Sequence, residues 1–311
     1  MSGVLLDNIL KPADNKAKLQ AVTINNEIFY KISGVDAMRP FFMSIVSDSN
    51  HWMFIASNGG LSAGRKDAEQ ALFPYYTDDK ITASVENTGS KTIFWVKKDD
   101  EQFLWEPFSV RSEGRYKTVR NLYKSRFGNK IIFEEINETL EISFQYQWCS
   151  SNLYGFVRKA VLTNLAKVNV NIKLLDGVQN ILPYGVSSDL QNSSSNLANA
   201  YKRSELVTET DIGIYALSAI ITDKAEPSEA LKANIAWCTG LGNCEHLLSS
   251  LQLNKFRLQG IAKQEDDIKG ESGAYFVISE LTLGANDSKE WMVLLNVNQN
   301  HSAIVQLSEG F

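Results

Sequence analysis

The chain has 311 residues, a formal net charge of −5, 44% hydrophobic and 22% charged residues. That length buries a sizeable core, and that composition excludes a disordered chain. The mild acidity and the isolated basic pairs Lys97-Lys98 and Lys202-Arg203 leave no electrostatic footprint for nucleic acid, and no apolar run reaches the roughly 18–20 residues of a membrane-crossing helix.

The opening M-S-G-V-L-L-D-N-I-L-K-P lacks the basic region and the cleavage site of a secretory signal. Cys149, Cys238 and Cys244 form neither a CxxC metal pair nor an even disulfide framework, so a cytoplasmic protein with reduced thiols is expected. The first strand candidates are F-F-M-S-I-V-S (41–47) and H-W-M-F-I-A-S (51–57), joined by Asp48-Ser49-Asn50. Residues 57–79 follow, S-N-G-G-L-S-A-G-R-K-D-A-E-Q-A-L-F-P-Y-Y-T-D-D. Asn58-Gly59-Gly60 reads as a turn, because Asn and Gly tolerate positive φ. The glycine spacing matches neither G-x-G-x-x-G nor G-x-x-x-x-G-K-[ST], which argues against nucleotide binding and leaves no cofactor implied.

Strands are next expected at T-I-F-W-V-K (92–97) and F-L-W-E-P (103–107), linked by Lys98-Asp99-Asp100-Glu101. Strict alternation in E-T-L-E-I-S-F-Q-Y-Q-W places Leu140, Ile142, Phe144, Tyr146 and Trp148 on one face. G-F-V-R-K-A-V-L-T-N (155–164) is another strand, and V-N-V-N-I-K-L sets Val168, Val170, Ile172 and Leu174 against Asn169, Asn171 and Lys173. Helical spacing is weak at 188–205 and at 243–251, the latter with Asn243 as its cap. The remaining strands are I-Y-A-L-S-A-I-I-T (214–222), A-N-I-A-W-C-T (233–239), Y-F-V-I-S-E-L-T-L (275–283) and W-M-V-L-L-N-V (291–297). Many strands with short polar turns predict an all-β fold, a single large antiparallel β-sandwich over 1–311 with few short helices and a core from about 20 to 308.

Chemistry is sparser. In the 57–79 segment, Arg65, Tyr75, Tyr76, Asp78 and Asp79 are the candidate sugar contacts, since aromatic faces stack on sugar rings and charged groups bond their hydroxyls. Of the six tryptophans most are expected in the core; Trp52, beside His51, and Trp105, in the turn-rich W-E-P-F, are the substrate-contact candidates, and Trp105 is expected to face a groove. Glycoside hydrolysis needs two carboxylates about 5–10 Å apart. Glu134-Glu135 would turn to opposite strand faces, while Asp78-Asp79 and Asp99-Asp100 read as loop carboxylates. His51, His246 and His301 show no H-E-x-x-H spacing, and no G-x-S-x-G is present, so neither a metal site nor a catalytic residue is assigned.

Several of these segments stand in a familiar order. H-W-M-F-I-A-S-N-G-G precedes T-I-F-W-V-K-K-D-D-E-Q-F-L-W-E-P; F-V-R-K-A-V-L-T-N-L then leads to V-N-V-N-I-K-L-L-D-G, with Asn164 at an L-x-N corner; L-T-L-G-A-N-D-S-K-E-W-M-V-L-L-N closes the series. Over most of 40–300 this order resembles the N-terminal, galactose-mutarotase-like β-supersandwich domain of cellobiose-phosphorylase-like glycoside phosphorylases and hydrolases. No Pro-Gly-Glu stands at 284–286, and S-A-G-R-K-D-A-E has no counterpart. The resemblance implies a non-catalytic N-terminal part of a longer carbohydrate-active enzyme. It also implies a catalytic α/α-barrel partner outside this chain, a homodimer contact, and a loop bordering the sugar. A self-sufficient aldose mutarotase or epimerase and a purely structural assembly domain are the alternatives.

Overall fold

Period-two alternation commits a segment to a sheet with one buried face. The computed structural model describes residues 16–98, 101–193, 195–219 and 232–309, and such segments dominate it. The first ten strands are β1 (Lys18–Ile24), β2 (Glu27–Ser33), β3 (Phe42–Ile45), β4 (His51–Ala56), β5 (Leu61–Arg65), β6 (Ala71–Phe73), β7 (Gly89–Lys98), β8 (Glu101–Trp105), β9 (Thr118–Ser125) and β10 (Ile131–Asn137). The next are β11 (Ile142–Ser151), β12 (Gly155–Asn164), β13 (Val170–Ile181), β14 (Lys202–Val207), β15 (Ile212–Leu217), β16 (Lys232–Thr239), β17 (Glu245–Leu247), β18 (Asp267–Lys269), β19 (Gly273–Leu283) and β20 (Ser288–Asn300). The helices are short: α1 (Asp78–Ala83), α2 (Ser188–Ser193), α3 (Ser195–Tyr201), α4 (Leu253–Gln259) and α5 (His301–Ser308). None among the described residues is long and apolar enough to cross a membrane.

The strands form three antiparallel sheets. Eleven run in the order β1-β2-β9-β10-β11-β12-β20-β16-β15-β14-β18, five in the order β17-β19-β13-β7-β8, and four in the order β3-β4-β5-β6. The last strand, β20, thus lies inside the large sheet between β12 and β16. One apolar cluster takes side chains from all three: Phe144 and Trp291 from the first, Phe94 and Leu174 from the second, Ile55 and Leu61 from the third. The all-β sandwich expected from alternation is the observed architecture.

The β11 face is as read, with Ile142, Phe144, Tyr146 and Trp148 all buried. Strand β13 begins only at Val170, leaving Val168 exposed. In its second half both faces are buried. Leu174 enters the main core, whereas Leu175 joins Ile93, Ile278 and the α4 residues Leu253 and Phe256 in a second cluster. At the corner after β12, the buried Asn164 side chain donates to the carbonyls of Val168 and Gly284, each at 2.8 Å, and accepts from the Ala166 N–H at 3.0 Å. A side chain that both donates and accepts is what a buried reversal of two chain segments requires.

Two helical expectations are corrected. Residues 243–251 do not form a helix: Asn243 sits at φ 46°, and Glu245–Leu247 pair with β19. Leu247 and Leu248 enter different clusters, as alternation demands, while Leu251 is exposed; the helix starts at Leu253. The 188–205 helix stops at Tyr201, because Lys202, Ser204 and Leu206 alternate inward as strand β14. The strand expected at 214–222 runs from Ile212 to Leu217. Its residues 220–222, and Asp99-Asp100, lie outside the described residues.

Candidate functional site

The Asn58-Gly59-Gly60 turn does steric work. Asn58 accepts from the Gly60 N–H at 3.2 Å and donates to the Thr82 carbonyl at 3.0 Å. A Cβ on Gly60 would lie 2.1 Å from the Ile81 carbonyl oxygen, so the missing side chain is what admits α1. Asp78 and Asp79 occupy the first turn of that helix and face solvent, where the exposed amide ends favour negative charge. Thr77 Oγ1 donates to Asp79, and this bond together with the Lys80 N–H holds the Asp79 carboxyl below its usual range.

Alternation in β3 and β4 carries Met43, Ile45, Met53 and Ile55 inward, and sends Phe42, Trp52 and Phe54 outward. The outward rings form a row. Phe42 stacks on Phe54 with centroids 5.7 Å apart, Phe54 meets Trp52 at 5.7 Å, and Trp52 and Tyr75 meet edge-to-face at 5.7 Å. Phe42 and Tyr75 are exposed, and Trp52 and Phe54 are half-buried. The Trp52 indole lies across β5: a Cβ on Gly64 would sit 2.5 Å from its Cζ2. Its Nε1 donates to the Asp67 carbonyl at 3.2 Å. The result is a platform of four rings, fixed by a glycine and a hydrogen bond.

The sequence candidates divide around it. Trp52 and Tyr75 belong to the platform. Arg65 follows Gly64 and donates to Asn296 Oδ1 at 3.3 Å; Asn296 in turn lines a groove of about 610 Å³ between β12, β20, β16 and α5, whose other walls include Tyr154, Trp237 and Met292. Tyr76 is half-buried, and burial pushes its phenol up against the opposing hydrogen bond with Asn180. Trp105 does not face a groove. It is 0% exposed, packed in the main core beside Phe94, and its Nε1 is satisfied there by donating at 2.9 Å to Oε1 of the equally buried Glu135. Sequence reasoning passed over Phe42 and Phe54, although the period-two rule sets them beside Trp52 once β3 and β4 are paired.

The ionisable groups are mostly committed elsewhere. Glu134 and Glu135 do point to opposite faces: Glu134 takes Asn121 and Tyr123, and Glu135 takes Trp105, Phe108 and Arg120. Glu86 and Glu106 share the buried Lys91 at 2.6 and 3.1 Å, with Arg111 on the first at 2.7 Å and Arg257 on the second at 2.8 Å. Burial alone would raise the Glu86 carboxyl, but Lys91, Ser109 and the Val110 N–H offset it and bring it down to about 2. A carboxylate so bound has no proton to give at neutral pH. Among the described residues no group of three or more His, Cys, Asp or Glu has metal-holding geometry.

His51 is buried edge-on against Phe156, with Nδ1 3.4 Å from Ser47 Oγ and Nε2 lacking a hydrogen-bond partner. Burial first, then Arg65, lower its pKa from 6.5 to about 4, with Asp48 opposing. Between those values the unfolded chain binds the extra proton, so this contribution to stability is complete above about pH 6.5 and is lost as pH falls toward 4. His51→Gln is therefore expected to flatten the melting temperature over that window. An unchanged slope in the variant would assign the effect to another group.

The chain is thus an all-β protein of large antiparallel sheets with a partly exposed aromatic row along β3 and β4 of its smallest sheet, ending at Tyr75 just past β6. No family model matches it. Among solved structures it is similar to a polysaccharide lyase, with a TM-score of 0.44, 13% identity, and coverage of 86% of this chain and 34% of that one. A bacterial glucoamylase complexed with acarbose follows at a TM-score of 0.42 and 9% identity, over 94% of this chain and 37% of the other. A galactose mutarotase-like protein from Clostridium acetobutylicum gives 0.39 and 8%, over 91% and 99%. The chain therefore spans about a third of the length of the lyase and the glucoamylase.

Proposed function

We propose that the chain is the non-catalytic β-sandwich module of a carbohydrate-active enzyme of glycoside phosphorylase or hydrolase type. In this reading it binds a glycan on the Phe42–Phe54–Trp52–Tyr75 row and packs against an α/α-barrel catalytic domain, with homodimer contacts as a further role. The aromatic row is the observation that carries the reading: of its four adjacent rings the exposed Phe42 and Tyr75 offer aromatic surface to the apolar C–H faces of sugars, with the half-buried Phe54 and Trp52 between them. The engaged states of Glu86, Glu106, Glu134 and Glu135 support binding over chemistry.

A second reading, aldose mutarotation, is favoured by one contact. His246 Nδ1 lies 3.6 Å from the Asp211 carboxylate, the histidine buried and the aspartate half-exposed. A histidine and a carboxylate are two of the group types that general acid–base catalysis uses.

One set of measurements separates the two. Cello- and malto-oligosaccharides are expected to quench tryptophan fluorescence, and Phe42→Ala/Tyr75→Ala is expected to weaken binding by about 5–150-fold, the worth of two aromatic contacts of roughly 0.5–1.5 kcal/mol each. Anomer interconversion of glucose and galactose should run at the buffer rate. Binding that the double variant leaves untouched, or a rate above buffer that His246→Ala abolishes, would sink the proposal.

A further inference from the structure

The outer face of the five-stranded sheet changes character along its strands. The cross-strand row Ile93–Leu175–Ile278 is apolar and lies under Leu253 and Phe256 of α4. Two residues on, and so on the same face, the row becomes Trp95–Lys173–Glu280; two further on it is Gln102–Lys97–Asn171–Thr282. Helix α4 ends at Gln259, and beyond it a cleft of about 470 Å³ opens over these two rows, bounded by Gly260 and Ile261. That size falls within the roughly 300–1,000 Å³ of ligand clefts.

The cleft has a fixed wall. Trp95 Nε1 donates to the Phe256 carbonyl at 2.9 Å, and Gly260, at φ +65°, lies alongside the indole, where a Cβ would be in ordinary van der Waals contact at 3.4 Å. The floor is polar and internally paired. Lys173 Nζ meets Glu280 at 2.9 Å, and Thr282 Oγ1 donates to Asn171 Oδ1 at 2.6 Å. Donors and acceptors therefore alternate across strands about 4.8 Å apart, beside one aromatic face.

We infer that this cleft is a second glycan site, one that takes an uncharged oligosaccharide. A sugar hydroxyl donates and accepts at once, which suits a floor of ammonium, carboxylate, amide and hydroxyl groups, and its C–H face suits the indole. An anionic ligand would meet Lys97 on this floor but would also have to lie beside Glu280 or displace it from Lys173. An apolar ligand would strip water from both charges without replacing its hydrogen bonds. The argument rests on the five-stranded sheet alone and does not depend on the Trp52 platform.

The test is an NMR titration of the full ¹⁵N-labelled chain with cellohexaose, maltohexaose and, as the charged comparison, a hexagalacturonate. A neutral hexasaccharide is expected to shift the Trp95 indole N–H and the Asn171 side-chain amide progressively, in the wild type and equally in Trp52→Ala. Lys173→Met/Thr282→Val, both at solvent-accessible positions, should keep the wild-type melting temperature and bind about 10-fold more weakly. No shift at Trp95 and Asn171 with either neutral sugar overturns the inference. So does a shift of undiminished affinity in the double variant, or tighter binding of the hexagalacturonate. Loss of these shifts in Trp52→Ala would also overturn it, since the signal would then belong to the platform.

Discussion

Asp176→Ala is expected to lower the unfolding free energy by about 3–5 kcal/mol, the cost of stranding one half of a buried ion pair. Its carboxylate accepts Arg158 Nη1 at 2.7 Å and Nη2 at 2.9 Å, Thr92 Oγ1 at 2.6 Å and Trp291 Nε1 at 2.6 Å. Asp176 and Arg158 are both 0% exposed, so no water replaces these partners when the carboxylate goes. Arg158 also lies over the Tyr146 ring at 4.9 Å and donates to Ser90 at 2.9 Å, contacts that do not neutralise it. Removing both charges is a different experiment. Arg158→Met/Asp176→Leu should recover most of the loss, because well-packed apolar replacements of a buried pair are often neutral or stabilising. Urea unfolding followed by tryptophan fluorescence measures both. A single-variant loss under about 1 kcal/mol would mean that water reaches Arg158 after all.

Glu135→Ala is expected to cost a similar amount, about 3–5 kcal/mol, through a different unit of structure. Glu135 accepts Trp105 Nε1 at 2.9 Å, the Phe108 N–H at 2.7 Å and Arg120 Nε at 2.7 Å. Phe108 sits at φ 61°, which a bulky residue occupies only when its surroundings hold it there. Here the carboxylate holds the amide, while Phe133, Phe144 and Tyr146 surround the ring. Glu135→Gln keeps one acceptor oxygen and should lose less, about 1–3 kcal/mol. Near-ultraviolet circular dichroism supplies the second readout, since Trp105 loses its indole partner in the alanine variant. Equal stability of the glutamine and alanine variants would show that the charge, not the acceptor geometry, sets the effect.

These two clusters also show which parts of the molecule were readable in the chain. Alternation gave the strands directly wherever one face is buried, as in β11, and Asn164 could be placed at a corner by its segment order. Trp105 was misread because its acceptor is thirty residues away, on β10. Trp-Glu-Pro-Phe looks like a turn in isolation; only the pairing of β10 with β9 and β11 brings Glu135 beneath it. The region 243–251 failed for the same reason. Its leucines suit a helix locally, and the edge of β19 overrides them. Of the candidate site, Trp52 and Tyr75 were legible as residue types, but the row they complete depends on the registers Phe42↔Ala56 and Trp52↔Gly64. The Trp95 cleft depends on register entirely, since its floor is drawn from four strands.

The position of β20 sets an order on the birth of the fold. Within the largest sheet as described, the strand that joins β12 to β16 comes last in chain order, so the pairings that unite its two parts wait until residue 300 has been translated. Trp291, which caps the Asp176 cluster, arrives with it. That sheet therefore cannot be closed progressively from the N-terminus, since the edges at β12 and β16 lack their shared neighbour until β20 is made.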